Sequence, residues 1–298
     1  MLLIAGSTGY VGGLLANQLA GRGLAVRCMA RSPERAAGRF DDRCEVVRGD
    51  VLEPESLGPV LEGVELAYYL VHSMGRGGDG EFGERDRRGA LNFAEAAKRA
   101  GVGRIVYLGG LGEGESEHLR SRQETAEALA STGIPLTYFR AAIVIGSGSE
   151  SLRTIAYLVK RLPAMITPSW TKTETQPIAA ADVVAFLAAA PDVPESSGRE
   201  IELGGPDVTT YGGLLDLAAE AQGMRRRPRL GVPLLSPILS SHWIGVITPV
   251  DVGVARPLVE GLSTRTVVED RSGMELFDVE TTPLADAMRE AVPAALAE

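Results

Sequence analysis

Thirteen residues at the amino end, Met1-Leu-Leu-Ile-Ala-Gly-Ser-Thr-Gly-Tyr-Val-Gly-Gly13, narrow the possible folds at once. Leu2 to Ala5 is an unbroken apolar run, the pattern of a parallel strand covered on both faces. Gly6, Gly9 and Gly12 follow in the spacing G-x-x-G-x-x-G, and Leu14, Leu15, Ala16 and Leu19 then recur at helical period. A strand that enters a glycine turn and leaves as a helix aims backbone N–H groups and the positive helix end at one point. That point suits a dinucleotide pyrophosphate, and the glycines stand where a Cβ would block the turn, the phosphate or the helix contact. Gly6, Ser7, Thr8, Gly9, Tyr10, Val11 and Gly12 are therefore the expected cradle, against the alternative of a turn that binds nothing.

The next strand, expected over 25–30, ends in Arg31-Ser-Pro-Glu-Arg35. Dinucleotide folds inspect the adenosine ribose here: a carboxylate accepts from a free 2′-hydroxyl, whereas arginine pairs with a 2′-phosphate. No acid ends this strand, so Arg31, with Arg35 one turn on, points to NADP(H); two solvated surface arginines are the alternative. A short third strand over 45–48 leads to Asp50 and Val51, read as adenine contacts, with a helix N-cap as a compatible role for Asp50. The fourth strand, 66–71, delivers Val71, His72 and Ser73 to the lip of the sheet, where such folds place ligands. Residues 75–83 hold five glycines and read as a lid or loop. A helix over 90–100, a strand over 104–108, a helix over 123–131 and a strand over 136–140 continue the βα rhythm. That alternation requires a parallel sheet with right-handed crossovers.

The expected fold class is α/β, a doubly wound Rossmann sheet. Residues 1–146 form its dinucleotide core, and 147–298 form a smaller substrate lobe interleaved with the sheet in one compact unit. Further elements are expected over 152–161, 171–178, 181–189, 200–203 and 211–221. The 298 residues are 45% hydrophobic and 23% charged, an ordinary globular composition, and a net charge of −9 argues against a nucleic-acid surface. The uncharged stretch 232–250 is broken by Pro233, Pro237 and Pro249, which disfavours a membrane-spanning helix and leaves a pocket lining or a partner surface. Cys28 and Cys44 read as thiols on the second and third strands in a reducing compartment, so a cytoplasmic chain without a signal peptide is expected. The run Arg225 to Arg229 reads as a solvated turn, or less readily as an anion or subunit contact. Small-molecule substrates, no metal, and a monomer or homodimer complete the expectation.

These motifs together resemble the short-chain dehydrogenase/reductase superfamily, and more narrowly its atypical, epimerase-like NAD(P)H-binding branch of NmrA-like and YbjT-like proteins. The resemblance rests on the glycine turn, Arg31–Arg35, Gly49-Asp-Val51, Tyr68-Tyr-Leu-Val-His-Ser-Met-Gly75, Arg104-Ile-Val-Tyr-Leu-Gly-Gly110, Leu162-Pro, Gln176-Pro-Ile and Asp182-Val. It implies a Rossmann scaffold and NADP use, but no particular substrate, since the branch includes non-enzymatic sensors. The superfamily's usual relay is Tyr-x-x-x-Lys with a Ser after the fifth strand. None of the seven tyrosines here has lysine four residues on, and the three lysines (Lys98, Lys160, Lys172) lie elsewhere. The resemblance puts His118 and Arg122 at the Tyr and Lys positions and Gly109 or Gly110 at the Ser position. His118 is expected to exchange protons near neutral pH, Arg122 to hold ribose hydroxyls or a phosphate, and His72 to sit beside the cofactor or act on substrate. Gly109 joins the cofactor residues. The resulting expectation is an NADPH-dependent reductase of a hydrophobic or aromatic acceptor: an activated alkene, imine, quinone or ketone. A non-catalytic NADP(H) sensor and a sugar epimerase-like enzyme are the alternatives.

Overall fold

A computed structural model describes residues 1–72, 82–112, 116–167, 169–231 and 262–297. Seven parallel strands, in the order β11-β6-β5-β4-β1-β2-β3, form the central sheet. Its left half is built from β1 (Leu2–Ala5), β2 (Val26–Ala30) and β3 (Cys44–Arg48), with α1 (Tyr10–Gly21), α2 (Pro33–Ala36) and α3 (Leu57–Leu61) between and after them. The order reverses between β1 and β4 (Leu66–Tyr69), and the carboxyl-end crevice at that reversal is where α/β sheets bind ligands. Then come α4 (Phe82–Ala100), β5 (Arg104–Gly110), α5 (Glu117–Ala130) and β6 (Leu136–Ala141).

Alternate residues of each strand feed two separate cores, which is why the strands read as continuous apolar runs. Ile4, Tyr68 and Val106 pack with Leu15 and Leu19 of α1 on one face. Leu3, Ala5, Tyr69 and Tyr107 pack with Phe93 and Ala97 of α4 and Leu129 of α5 on the other. Cys28 and Cys44 do lie on β2 and β3 as free thiols, and burial pushes the Cys28 thiol up to about 12.

After β7 (Val144–Ile145) come α6 (Glu150–Arg161), β8 (Met165–Thr167), β9 (Glu174–Thr175), β10 (Ile178–Ala179) and α7 (Ala180–Ala189). The next elements are β11 (Glu200–Leu203), β12 (Thr209–Thr210), α8 (Tyr211–Ala221), β13 (Arg229–Gly231) and α9 (Leu284–Ala295). β11 returns to the central sheet beside β6, while β7–β10, β9–β12 and β8–β13 are two-stranded pairs. α7 covers the α1 face through Val183, Phe186 and Leu187. α6, α8 and α9 enclose a third apolar cluster with Ile145.

Several expected boundaries shift. α4 begins at Phe82 rather than 90, because its first turns are polar and carry Gly83 and Gly89, which hide the helical period. α5 begins at Glu117 rather than 123, because the Ser116 hydroxyl accepts from Leu119 N at 3.2 Å and caps the helix. The extended piece expected over 171–178 breaks into a 3₁₀ turn and the short strands β9 and β10. The basic run is largely solvent-exposed, as expected, and three of its arginines also find partners. Arg226 pairs with Glu220 at 2.7 Å, Arg229 with Asp216 at 2.7 Å, and Arg227 donates to Val159 O at 3.1 Å. α9 was absent from the expected elements, although Leu284, Ala287, Met288, Ala291, Val292 and Ala295 carry its buried stripe. Ser73, most of the glycine-rich loop and the stretch 232–250 lie outside the described residues.

Candidate cofactor and acceptor site

The glycine turn is dictated by space. Gly6 has φ +91°, and a Cβ there would stand 2.4 Å from the Leu70 carbonyl oxygen, so β1 and β4 close together only over a bare backbone. A Cβ on Gly12 would stand 2.3 Å from Gly6 O, which fixes α1 against the turn. Gly9 N–H bonds Gly6 O at 3.0 Å, making the turn tight. Gly9 is the N-cap, no side chain caps α1, and its first turn holds no acid. Uncapped amides at the switch point of the sheet fit a pyrophosphate. The Ser7 hydroxyl is not part of this offer: it is fully buried and donates to Met29 O at 2.9 Å. Thr8 is exposed beside it, and Tyr10 reaches across to Gly146 and Gly148, where a Cβ would strike its ring.

At the end of β2, Arg31 and Arg35 are exposed and form no ion pair among the described residues, so both guanidinium groups are available to an anion. Asp50 accepts from Leu52 N at 2.9 Å through one oxygen and so shapes its own turn, but it does not cap the following helical segment, whose N-cap position is Glu53. Val51 is buried and its carbonyl accepts from Asn92 Nδ2 at 2.8 Å. Other residues of the sequence motifs brace the scaffold. Tyr68 donates to Leu187 O at 2.9 Å, Gln176 bridges Gly205 O and Val268 N, and Asp182 holds Thr282 through both carboxylate oxygens.

A cavity of about 330 Å³ opens beyond the carboxyl ends of β4 and β5. One end touches Val11, His72, Gly109, His118 and Arg122, uniting residues that lie far apart in the chain. Its far wall is Ile143 with Ile155 and Leu158 of α6, Tyr211 and Leu215 of α8, and Leu262, with Ser149, Ser151 and Thr154 as the polar fringe. The sequence reading named none of these far-wall residues. Their amphipathic spacing was visible, but one stripe looks the same whether it covers core or a ligand.

His118 and Arg122 project one turn apart on α5, and the Arg122 guanidinium lies against the His72 imidazole. Gly109 and Gly110 admit no side chain without displacement: a Cβ would meet the Tyr138 ring at 2.6 Å or Leu119 at 2.8 Å. The Arg140 guanidinium holds this strand end by donating to Gly110 O at 3.3 Å and Gly112 O at 3.1 Å. Burial, and then the charge of Arg122, push His118 down to about 3. The exposed surface of His72 faces the concave cavity, where desolvation first and Arg122 second hold it well below its usual value. Both shifts favour the neutral imidazole at neutral pH, a form that can donate or accept a hydrogen bond.

This has a measurable consequence for folding. The unfolded chain protonates His118 near 6.5, while the folded chain resists until about 3. Stability is therefore complete above the unfolded value and falls as pH drops through the interval between them. Between neutral pH and about pH 5, His118→Gln is expected to lose less unfolding free energy than the parent, by at most about 1.4 kcal/mol per pH unit. Denaturant titrations across that range check this; parallel losses in the two proteins refute it.

Residues 6–142 match a family model described as NAD(P)H-binding. This part of the chain is an NAD(P)H-binding domain. The domain includes the glycine turn, both arginines, His72, His118 and Arg122. Among curated proteins, the chain is 30% identical over 108 residues to the photosystem II assembly factor Ycf39 of Synechocystis, spanning 36% of this chain and 32% of that protein's length. It is 24% identical over 249 residues to sanguinarine reductase of Eschscholzia californica, spanning 68% of this chain and 88% of that protein. The solved triphenylmethane reductase of Citrobacter sp., in complex with NADP(H), superposes with a TM-score of 0.76 at 20% identity, over 97% of this chain and 99% of that one. The Rossmann-like fold of the NAD(P)-binding epimerases and reductases thus extends beyond the matched domain. Among the described residues, no helix is long and apolar enough to cross a membrane, and no cluster of His, Cys, Asp or Glu could hold a metal ion.

Proposed function

We propose that this chain is an NADPH-dependent reductase of small apolar acceptors, taken from activated alkenes, imines, quinones and ketones. The observation that carries the reading is the apolar cavity continuous with Val11, Gly109 and His72 at the cofactor crevice. A sensor that only binds nucleotide has no need of such a chamber, and a sugar epimerase would need the missing tyrosine base. The named reductases among the relatives add support.

Residues 1–146 are the cofactor core and 147–298 the acceptor lobe in this proposal. The α1 amides hold the pyrophosphate, Arg31 and Arg35 take the 2′-phosphate, and Asp50 and Val51 border the adenine. Val71, His72 and Gly109 line the nicotinamide end. NADPH bound there supplies a hydride, the part of the chemistry that no side chain can provide. The protein orients the acceptor against α6 and α8, excludes water, and offers neutral His118 as a hydrogen-bond donor to the acceptor's polar atom.

The test is NADPH oxidation by purified protein with enones, quinones and imines, followed at the reduced-nicotinamide absorbance. Leu158→Trp, which fills the far wall, is expected to raise the acceptor KM by about tenfold or more while NADPH affinity stays level. Equal kinetics in both proteins would remove the chamber from the mechanism.

A further inference from the structure

Resting on the reductase reading, we infer that Arg122 makes the chamber selective for neutral or anionic acceptors that gain negative charge on reduction, and makes it reject cationic ones. The guanidinium borders the same cavity as the apolar walls of α6 and α8. Among the described residues no carboxylate pairs with it. Its side-chain partner there is the His72 ring, and His118 lies one turn back on the same helix. Asp86 of α4, a buried carboxylate, acts on the same Tyr107 but does not line the cavity. Tyr107 spends its hydroxyl on Arg122 O at 3.3 Å, and burial raises the pKa values of Tyr107 and Tyr138, keeping both neutral. Arg140, beyond Gly110, adds positive charge already matched by Glu200 at 2.6 Å. Among the described residues, Arg122 is the charged side chain on the cavity wall, beside the imidazoles of His72 and His118.

That arrangement changes what an acceptor must be. In hydride addition to a quinone or enone, the C–H bond of the dihydronicotinamide would break and its hydride form a new bond to the acceptor, leaving NADP+, while the acceptor's π pair moves onto the carbonyl oxygen as an oxyanion. Arg122 lies where that charge can be met by a fixed cation, and water supplies the proton after the transfer, so no protein acid is consumed. A cationic iminium loses its charge on reduction. Arg122 opposes its entry and gains nothing as the hydride is transferred.

Three two-ring acceptors of nearly equal size provide the test: naphthoquinone, naphthoquinone sulfonate and N-methyl-dihydroisoquinolinium. With the parent protein, kcat/KM for the two quinones is expected to exceed that for the iminium by about tenfold or more after correction for intrinsic hydride affinity. Arg122→Met is expected to shrink that ratio at least severalfold, Arg122→Lys to keep most of it, and added salt to narrow it only partly. A solvent deuterium isotope effect near unity on kcat fits proton delivery after hydride transfer. Equal or better turnover of the iminium, unchanged in Arg122→Met, overturns the charge rule while leaving the reductase reading intact. Binding of NADPH with no oxidation by any of the three overturns the reductase reading, and the charge rule with it.

Discussion

Replacing both Arg31 and Arg35 with alanine is expected to weaken NADPH binding by about a hundredfold and NADH binding by less than about threefold. Each guanidinium is exposed, Arg31 just after β2 and Arg35 on α2, and among the described residues neither has an ion pair. A charge-assisted bond to phosphate is worth about 1.5–3 kcal/mol, and about 1.4 kcal/mol is one decade in affinity. NADH has no 2′-phosphate, so its proposed contacts, at the glycine turn, the adenine and the nicotinamide end, are all left in place. Calorimetric titration of both cofactors into parent and variant decides the matter. Equal losses for the two would mean that the arginines do not read the ribose phosphate.

The second large effect belongs to Gly6. Gly6→Ala is expected to destabilise the fold by about 3 kcal/mol and to abolish measurable cofactor binding. Two costs coincide there: φ +91° disfavours any Cβ, and the Leu70 carbonyl stands 2.4 Å from where that Cβ must go. Both partners are backbone, so neither can rotate away. Gly63→Ala separates the two contributions, because Gly63 has φ +71° with nothing within 4 Å of its added Cβ. That control is expected to lose about 1 kcal/mol and to bind NADPH normally. Comparable melting shifts in the two variants would mean that crowding at Leu70 contributes little.

Much of the scaffold was legible because its signals are local. The glycine turn, Leu2–Ala5, Glu200–Leu203 and Tyr211–Ala221 lie where apolar runs and helical spacing place them. The site was legible only as separate pieces. Spacing along α5 brings His118 and Arg122 to one side, but only the parallel pairing of β4 with β5 carries His72 to them. The protonation preference of His118 was not legible, because it depends on burial and on one cation, neither of which a residue type announces. The acceptor wall was overlooked for a different reason: α6 and α8 come together through a core that also includes α9, and pairings so distant in sequence leave no mark on local patterning.

The bare strand end at Gly109 and Gly110 limits how this protein could change its chemistry. A serine at 109 runs into Tyr138, itself stacked on Tyr107 with ring centroids 5.2 Å apart, and Tyr107 in turn grips the helix that carries Arg122. Restoring the customary relay would therefore take a coordinated set of replacements, each harmful until the others are in place.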